Sequence, residues 1–333
     1  MNELENVSRR RALRALGAAA AAATLWKAPL AHAQANAPRI LVGSSAGSIP
    51  DVVARRYAER LGAQAGRPVL VENRVGAAGQ VAIGTLRSSP PDGNTMLLAP
   101  GAVATVYPAI YPRLGYDAGK DLVPVSLAAE LHLAFGVGPA VPESVKNVAD
   151  FVAWARATPG PATFGSPGAG TPPHLLGALF ASRAGITLQH VPYQGGPPAV
   201  VDLMGGRISA VFLPEGLLRQ QHAARSVRVL ATSGTERSKF LPDVPTFVEQ
   251  GMRDVVLREW FAFFLPGGAS DAAIERAAAS VRQAAADAEL VTALAGLAMV
   301  ATASSPAQMA DRIAAERQHW TPIIRAAGIT IDS

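Results

Sequence analysis

Two short stretches carry residue types that could do chemistry. Gly43, Ser44, Ser45, Ala46 and Gly47 spell G-x-S-x-G between an apolar run at 39–42 and a helical pattern that opens at Pro50 and Asp51. In a strand, turn and helix context, that spacing can expose a serine as a nucleophile. A second unit repeats the plan: residues 162–165 read as a strand, 166–171 as a small-residue loop with Ser166 and Thr171, and Pro172 starts a helix. The first N–H groups of a helix lack intrahelical acceptors, so a loop of Gly, Ala and Ser feeding one can equally hold an anion or a carbonyl oxygen. The two loops are expected to face each other across a cleft.

The nucleophile reading is the weaker one. The motif follows the first strand after the N-terminal segment, so no earlier strand and helix supply an oxyanion loop. His132, His174, His190, His222 and His319 have no Asp partner in the expected setting. They also lack i, i+4 or H-x-x-E spacing, which speaks against a metal site. Other candidates each have two readings. Asp51 is either a ligand-contacting acid or a first-turn acid favoured by the helix dipole. Ser166 and Thr171 either donate to an anion or cap the following helix. Tyr193 forms a cleft wall or packs in the core, and Arg74 meets a substrate or water.

Composition narrows the class. At 333 residues the chain has room for two domains, and 49% hydrophobic residues argue against disorder. The sequence pI of about 9.9 suggests a polyanion partner, but Arg9, Arg10, Arg11, Arg14 and Lys27 against Glu3 and Glu5 in the first 35 residues account for most of the excess. Without them the net charge of +5 falls to +2. No basic run with interleaved aromatics appears, so nucleic acid is not an expected partner. Cysteine is absent, which excludes disulfides, thiolate zinc sites and a lipidated N-terminal Cys. No cofactor is expected.

Residues 1–35 read as an export signal with a twin-arginine-like pattern at 8–13, a mildly apolar Ala-rich core at 16–25, and small residues for cleavage at Ala31-His32-Ala33. Ala12 stands where an aromatic is usual, so twin-arginine and general export both remain open. The core is short for a bilayer span.

Along the rest, residues 68–72 and 95–99 read as strands and 81–87 as a helix, an alternation that predicts a parallel sheet. Strand 95–99 opens into a small-residue loop holding Ala102 and Thr105, at the carboxyl end where ligands sit in open α/β sheets. Residues 122–135 read as a first crossing between lobes, and the bulky run 259–264 as a second. Between them, strands at 187–191, 208–213 and 227–231 are expected to complete a second parallel sheet, with a short helix at 199–204 and another around 246–250. Two helical segments follow the second crossing. The last is marked by Ser305, Pro306 and Gln308, an N-cap, a first-turn proline and a capping-box partner.

Several blocks resemble the Bug-type receptors of tripartite tricarboxylate transporters: Val71-Glu72-Asn73-Arg74, Gly76 to Gly79, Pro91-Asp92-Gly93, Gly165-Ser166 with Gly170-Thr171, His190-Val191-Pro192-Tyr193, Gly205-Gly206, and Leu241-Pro242-Asp243-Val244-Pro245-Thr246. They come in family order over almost all of the chain after the signal. The resemblance implies a type II periplasmic-binding-protein-like α/β fold, with two Rossmann-like lobes joined by two crossover strands. Lobe 1 would be 36–130 plus 262–333, and lobe 2 would be 131–261. It implies a periplasmic monomer, cleaved near Ala33, that captures a small organic carboxylate or related amide and docks transiently on membrane permease subunits, with no enzymatic activity. A ligand-loaded partner of a signalling receptor is the alternative, and a secreted serine hydrolase using Ser45 a remote one.

By position, the implied ligand contacts are Ser44, Ser45, Ala46, Gly47, Ser48, Ile49, Asp51, Ala102 and Thr105 from lobe 1, and Ser166, Ala169, Gly170, Thr171 and Tyr193 from lobe 2. The sequence departs from the family at the first loop, where hydroxyls replace bulk, and at Pro214-Glu215, where a neutral polar segment is frequent. Glu215 either points into the cleft, disfavouring a second carboxylate and favouring an amide or cation, or is an exposed loop carboxylate.

Overall fold

In the computed structural model, which describes residues 37–326 and 329–330, β1 (Arg39–Val42) lies between two parallel partners, β2 (Leu70–Asn73) and β3 (Thr95–Pro100). The export signal expected at 1–35 falls outside the described residues. The helix α1 (Ile49–Ala65) starts with Pro50 in its first turn and stops at Gly66, whose φ of 63° suits a residue without Cβ. Its buried residues Val53, Ala54, Tyr57, Ala58 and Leu61 recur at helical spacing and cover one face of the sheet. Tyr57 packs edge-on against Phe263 and donates its hydroxyl to the Ala128 carbonyl at 2.6 Å. The shorter α2 (Gln80–Arg87) buries Ala82, Ile83 and Leu86, and two brief turns of helix, α3 (Ala102–Thr105) and α4 (Tyr107–Ile110), follow β3.

The strand β4 (Leu122–Val137) belongs to two half-sheets. Its residues 122–132 pair antiparallel with β9 (Arg258–Pro266), and β9 pairs antiparallel with β3. Residues 133–137 of β4 pair antiparallel with β7 (Ala210–Pro214) and β8 (Arg228–Thr232). The second half-sheet is completed by β5 (Ala162–Ser166) and β6 (Leu188–Pro192), parallel to each other, with β5 also parallel to β7. The helices α5 (Val148–Ala157), α6 (Pro172–Ala184), α7 (Gly196–Met204) and α8 (Arg219–Ala223) connect these strands. The expectation of a second parallel sheet holds for the strands it named: β5, β6, β7 and β8 all run one way, β7 and β8 both opposing β4, and only the shared crossing strand β4 runs against them.

That direction positions the site. β4 runs the same way as β3, whose Pro100 reaches the level of Ala129 through Phe261. It runs against β7, whose Pro214 lies opposite Leu133. Both half-sheets thus aim their carboxyl ends at the crossing around His132 and Leu133.

Two expectations are corrected. The helix expected around residues 246–250 is a turn, in which Thr246 forms an isolated bridge to Thr232 and exchanges hydrogen bonds with Glu249, and Gly251 at φ 87° ends it. Three helices follow β9, not two: α9 (Asp271–Ala285), α10 (Ala288–Gly296) and, after the two-residue β10 (Val300–Ala301), α11 (Pro306–Ala326). The Asp287 carboxylate accepts the N–H groups of Glu289 and Leu290, which breaks an apparently continuous helical pattern. The capping box of α11 forms as expected, with Ser305 N–H donating to Gln308 at 2.8 Å and Gln308 N–H to Ser305 at 3.1 Å.

The core of the second half centres on Phe135, which meets Phe151, Phe180, Phe212 and Phe247. Truncating so enclosed a ring typically costs about 3–5 kcal/mol. Among the described residues no helix is long and apolar enough to cross a membrane.

Candidate ligand-binding site

The loop after β1 is held by an acid beneath it. Asp51 is buried, and its carboxylate accepts from Gly47 N–H at 2.8 Å, Asn73 Nδ2 at 2.8 Å, and Arg55 at 2.9 and 3.0 Å. Burial alone would raise its pKa, but the hydrogen bonds from Arg55, Gly47 and Asn73 outweigh it and hold the carboxyl below its ordinary value. Asn73 also donates to the Ser44 carbonyl, and the hydroxyls of Ser44 and Ser48 meet at 2.7 Å. These bonds fix the loop's shape and leave Ser45, Ala46 and Gly47 exposed, with Ser48 and Ile49 half-buried. The backbone N–H groups of Ser44, Ser45 and Ala46 donate to no described residue.

The loop after β5 is tied down in a similar way. The buried Ser166 hydroxyl donates to the Gly168 carbonyl at 3.0 Å, so the 2.7 Å contact with His190 Nε2 is a donation from the ring. Thr171 donates to the same carbonyl at 2.7 Å instead of capping α6. Gly170 N–H donates to His174 Nδ1 at 3.1 Å, and the two imidazoles stack with centroids 3.9 Å apart. Burial pushes both histidines down to about 4, so they stay neutral. Tyr193 donates its hydroxyl to Asp202 at 2.9 Å. Ala169 is exposed, and its N–H has no described acceptor. The geometry does not favour a hydrolase: Ser45 is exposed, and the serine that meets a histidine is the enclosed Ser166.

Two cavities flank the crossing. The larger, about 290 Å³, takes Gly101 after β3 and Ala102 and Thr105 from α3, which forms where a loop was expected, Pro172 and Leu175 from the start of α6, residues 256–260 entering β9, and Arg312, Glu316, His319 and Trp320 from α11. Gly101 is required there, because a Cβ would sit 2.2 Å from the Trp260 ring. The smaller, about 190 Å³, is lined by Glu130, His132, Glu215, Ser238, Arg258 and Lys239 among others. Glu215 is therefore not an exposed loop carboxylate: it is buried, accepts from the Ser238 hydroxyl at 2.7 Å, and lines a different cavity from Ala102 and Thr105. It sits immediately past β7, where the carboxyl end of the strand carries the chain inward. Burial pushes it up to about 7.

The structure adds charged groups that the sequence analysis did not single out. Arg312 donates to Glu130 and to Glu316, and lies over the Trp260 ring at 5.1 Å. Trp260 Nε1 also donates to Glu316, at 2.8 Å. Arg258 pairs with Glu130 at 3.6 Å. Glu259 is buried, with its Oε2 unpartnered, and burial pushes it up to about 8. A lone acid at the head of a run as apolar as Trp260-Phe261-Ala262-Phe263-Phe264 was the available signal.

Two half-sheets joined through a shared strand, with their loop-bearing carboxyl ends turned toward that strand, define the periplasmic binding-protein class. A solved R. palustris protein with adipate superposes with a TM-score of 0.81 at 26% identity, covering 88% of this chain and 98% of that one. Residues 53–329 match the model described as the tripartite tricarboxylate transporter family receptor, and the chain belongs to that family. Its relatives include a UPF0065 protein of Pseudomonas sp., 32% identical over 97% of this chain and 95% of the relative. BugT of Bordetella pertussis is 31% identical over 87% and 89% respectively. The family is one of solute-binding receptors.

Proposed function

We propose that this receptor is exported, loses its signal near Ala33, and captures a small carboxylate in the periplasm between two lobes, 36–130 plus 262–333 and 131–261, for delivery to a permease. The observation that carries this reading is the strand register, which turns the carboxyl ends of both half-sheets toward one crossing beside a cavity lined from both halves. At about 290 Å³ the cavity is near the lower end for small-molecule pockets. The adipate bound by the R. palustris relative is of the same ligand class.

In this reading the ligand's carboxylate is gripped by backbone N–H groups, those of Ser44, Ser45 and Ala46 on one side and Ala169 on the other, with the helix N-termini of α1 and α6 behind them. Asp51, Ser166, Thr171 and Tyr193 act one step back, as anchors whose polar atoms hold the loops. A ligand touching both lobes selects the closed arrangement because only that arrangement offers it both sets of donors.

The test is thermal unfolding of the exported protein against adipate, shorter dicarboxylates and their monoamides. A binder at a hundred times its Kd adds about 2.7 kcal/mol, or roughly 5 °C for a chain of this size. If none of these compounds shifts the midpoint while a sugar or a metal does, the carboxylate reading is refuted.

A further inference from the structure

The loop at 168–171 has four N–H groups, and three are already taken. Gly168 donates to the Ser166 hydroxyl at 3.4 Å, Gly170 to His174 Nδ1 at 3.1 Å, and Thr171 to the Gly168 carbonyl at 3.4 Å. Ala169 N–H donates to no described residue. The helix α6 offers no donor at its first two positions, because Pro172 and Pro173 carry no N–H. Its first N–H is that of His174, which also donates to no described residue. Gly168 at φ 156° and Gly170 at φ 75° bracket Ala169, so the backbone has glycine's freedom on both sides and the turn's shape rests on its side-chain ties. Ser166 and Thr171 fasten the first glycine, and the His174 ring fastens the second.

That last tie exists in one protonation state. Nδ1 needs a lone pair to accept from Gly170, so the ring's proton is on Nε2. A second proton would fall on Nδ1 and oppose the N–H it now receives. The surroundings resist it. A helix start disfavours a cation, the His190 ring is stacked 3.9 Å away, and burial holds both imidazoles near 4. His190 of β6 is the titratable group facing His174, and Phe164 of β5 is the apolar ring beside both. We propose that His174 is a positioning residue for ligand capture: its Nδ1 holds Gly170 in place and thereby sets Ala169 N–H, together with the backbone N–H of His174, to receive a ligand carboxylate. This rests on the reading of the loop as one wall of the ligand chamber.

Calorimetry with adipate and shorter dicarboxylates on the exported wild type, His174→Asn and His174→Leu separates an acceptor from mere bulk. Asn places an oxygen where Nδ1 stood and cannot gain a proton, whereas Leu keeps the volume without an acceptor. At neutral pH the Asn variant should match wild type, and the Leu variant should bind about fivefold more weakly, the usual worth of one hydrogen bond. As pH falls through about 4, wild type should lose affinity more steeply than the Asn variant. The ligand's own protonation is common to both, so the difference isolates the imidazole. If Leu binds as well as wild type, or Asn falls as far as Leu, the positioning role is overturned while carboxylate capture stands. A wild type that gains on the Asn variant in acid overturns it too, because the ring would then act as a charge on the ligand. If wild type binds none of these compounds, carboxylate capture falls and the positioning role with it. Nitrogen NMR of the ligand-free wild type decides the tie even if a variant does not fold: His174 should carry its proton on Nε2, and a proton on Nδ1 at neutral pH refutes the proposal.

Discussion

Replacing Glu259 with Gln should change how stability depends on pH, independently of any ligand. The carboxyl's ordinary value is 4.5, and burial raises it to about 8 in the folded protein. Tyr107 is the titratable group that senses its charge, and neither Arg258 nor Arg312 donates to Glu259, since both are turned to other acids. Between those two pH values the unfolded chain gives up this proton while the folded chain keeps it. The unfolded state then binds fewer protons, so stability falls as pH rises. At about 1.36 kcal/mol per pH unit, the loss reaches roughly 4–5 kcal/mol by about pH 8.

The side-chain amide introduced by Glu259→Gln cannot ionise, so the variant escapes this loss. It carries instead a fixed penalty for its own unmatched polar atoms, about 1–3 kcal/mol. The stability difference between variant and wild type should therefore move in the variant's favour by several kcal/mol from about pH 4.5 to about pH 8. Urea unfolding followed by tryptophan fluorescence, on both proteins without ligand, reads this difference directly. A difference that stays flat within about 1 kcal/mol would refute the burial and isolation ascribed to Glu259.

Further outcomes follow from packing and loop anchoring. Asp51→Ala removes the acceptor for Gly47, Asn73 and Arg55 and should cost about 2–4 kcal/mol, whereas Arg55→Ala, at a half-exposed partner, should cost about 1 kcal/mol or less. Because the Asp51 carboxyl is held below its ordinary 3.8, its stabilisation is complete above that pH and is lost as pH falls through the folded value, so wild type and Asp51→Ala should converge in acid melts. Gly101→Ala drives a methyl into the Trp260 ring and should cost about 1–3 kcal/mol, with a changed Trp fluorescence maximum as the sign that the cavity wall has moved.

Much of the fold was legible before the structure. Short apolar runs bounded by Gly and Pro marked β1, β3, β5 and β7, and Ser305, Pro306 and Gln308 marked the start of α11, because these signals are local. The parallel run of the second half-sheet was legible too, but that β4 opposes it was not, because that relation is set by a strand shared between both halves. The three-helix ending was hidden because the Asp287 cap interrupts a chain of good helix formers. Of the candidate site, the small-residue loops were readable from composition alone. The buried charges around the crossing were not: Glu130, Glu259 and Arg312 are brought together from distant segments, and no spacing rule connects them.

The pairing of β3 with β9 has a bearing on how the chain is made. During synthesis β1, β2 and β3 emerge early, yet the edge of β3 finds its partner only after β4 to β8 and their helices have been added. Until then that edge is a row of open amides and carbonyls able to join a stray strand. Closing it late, over so long a separation, makes assembly slow relative to proteins built from neighbouring contacts. A nascent chain cut short anywhere before Arg258 would therefore be sticky, and pieces ending there should collect in insoluble material.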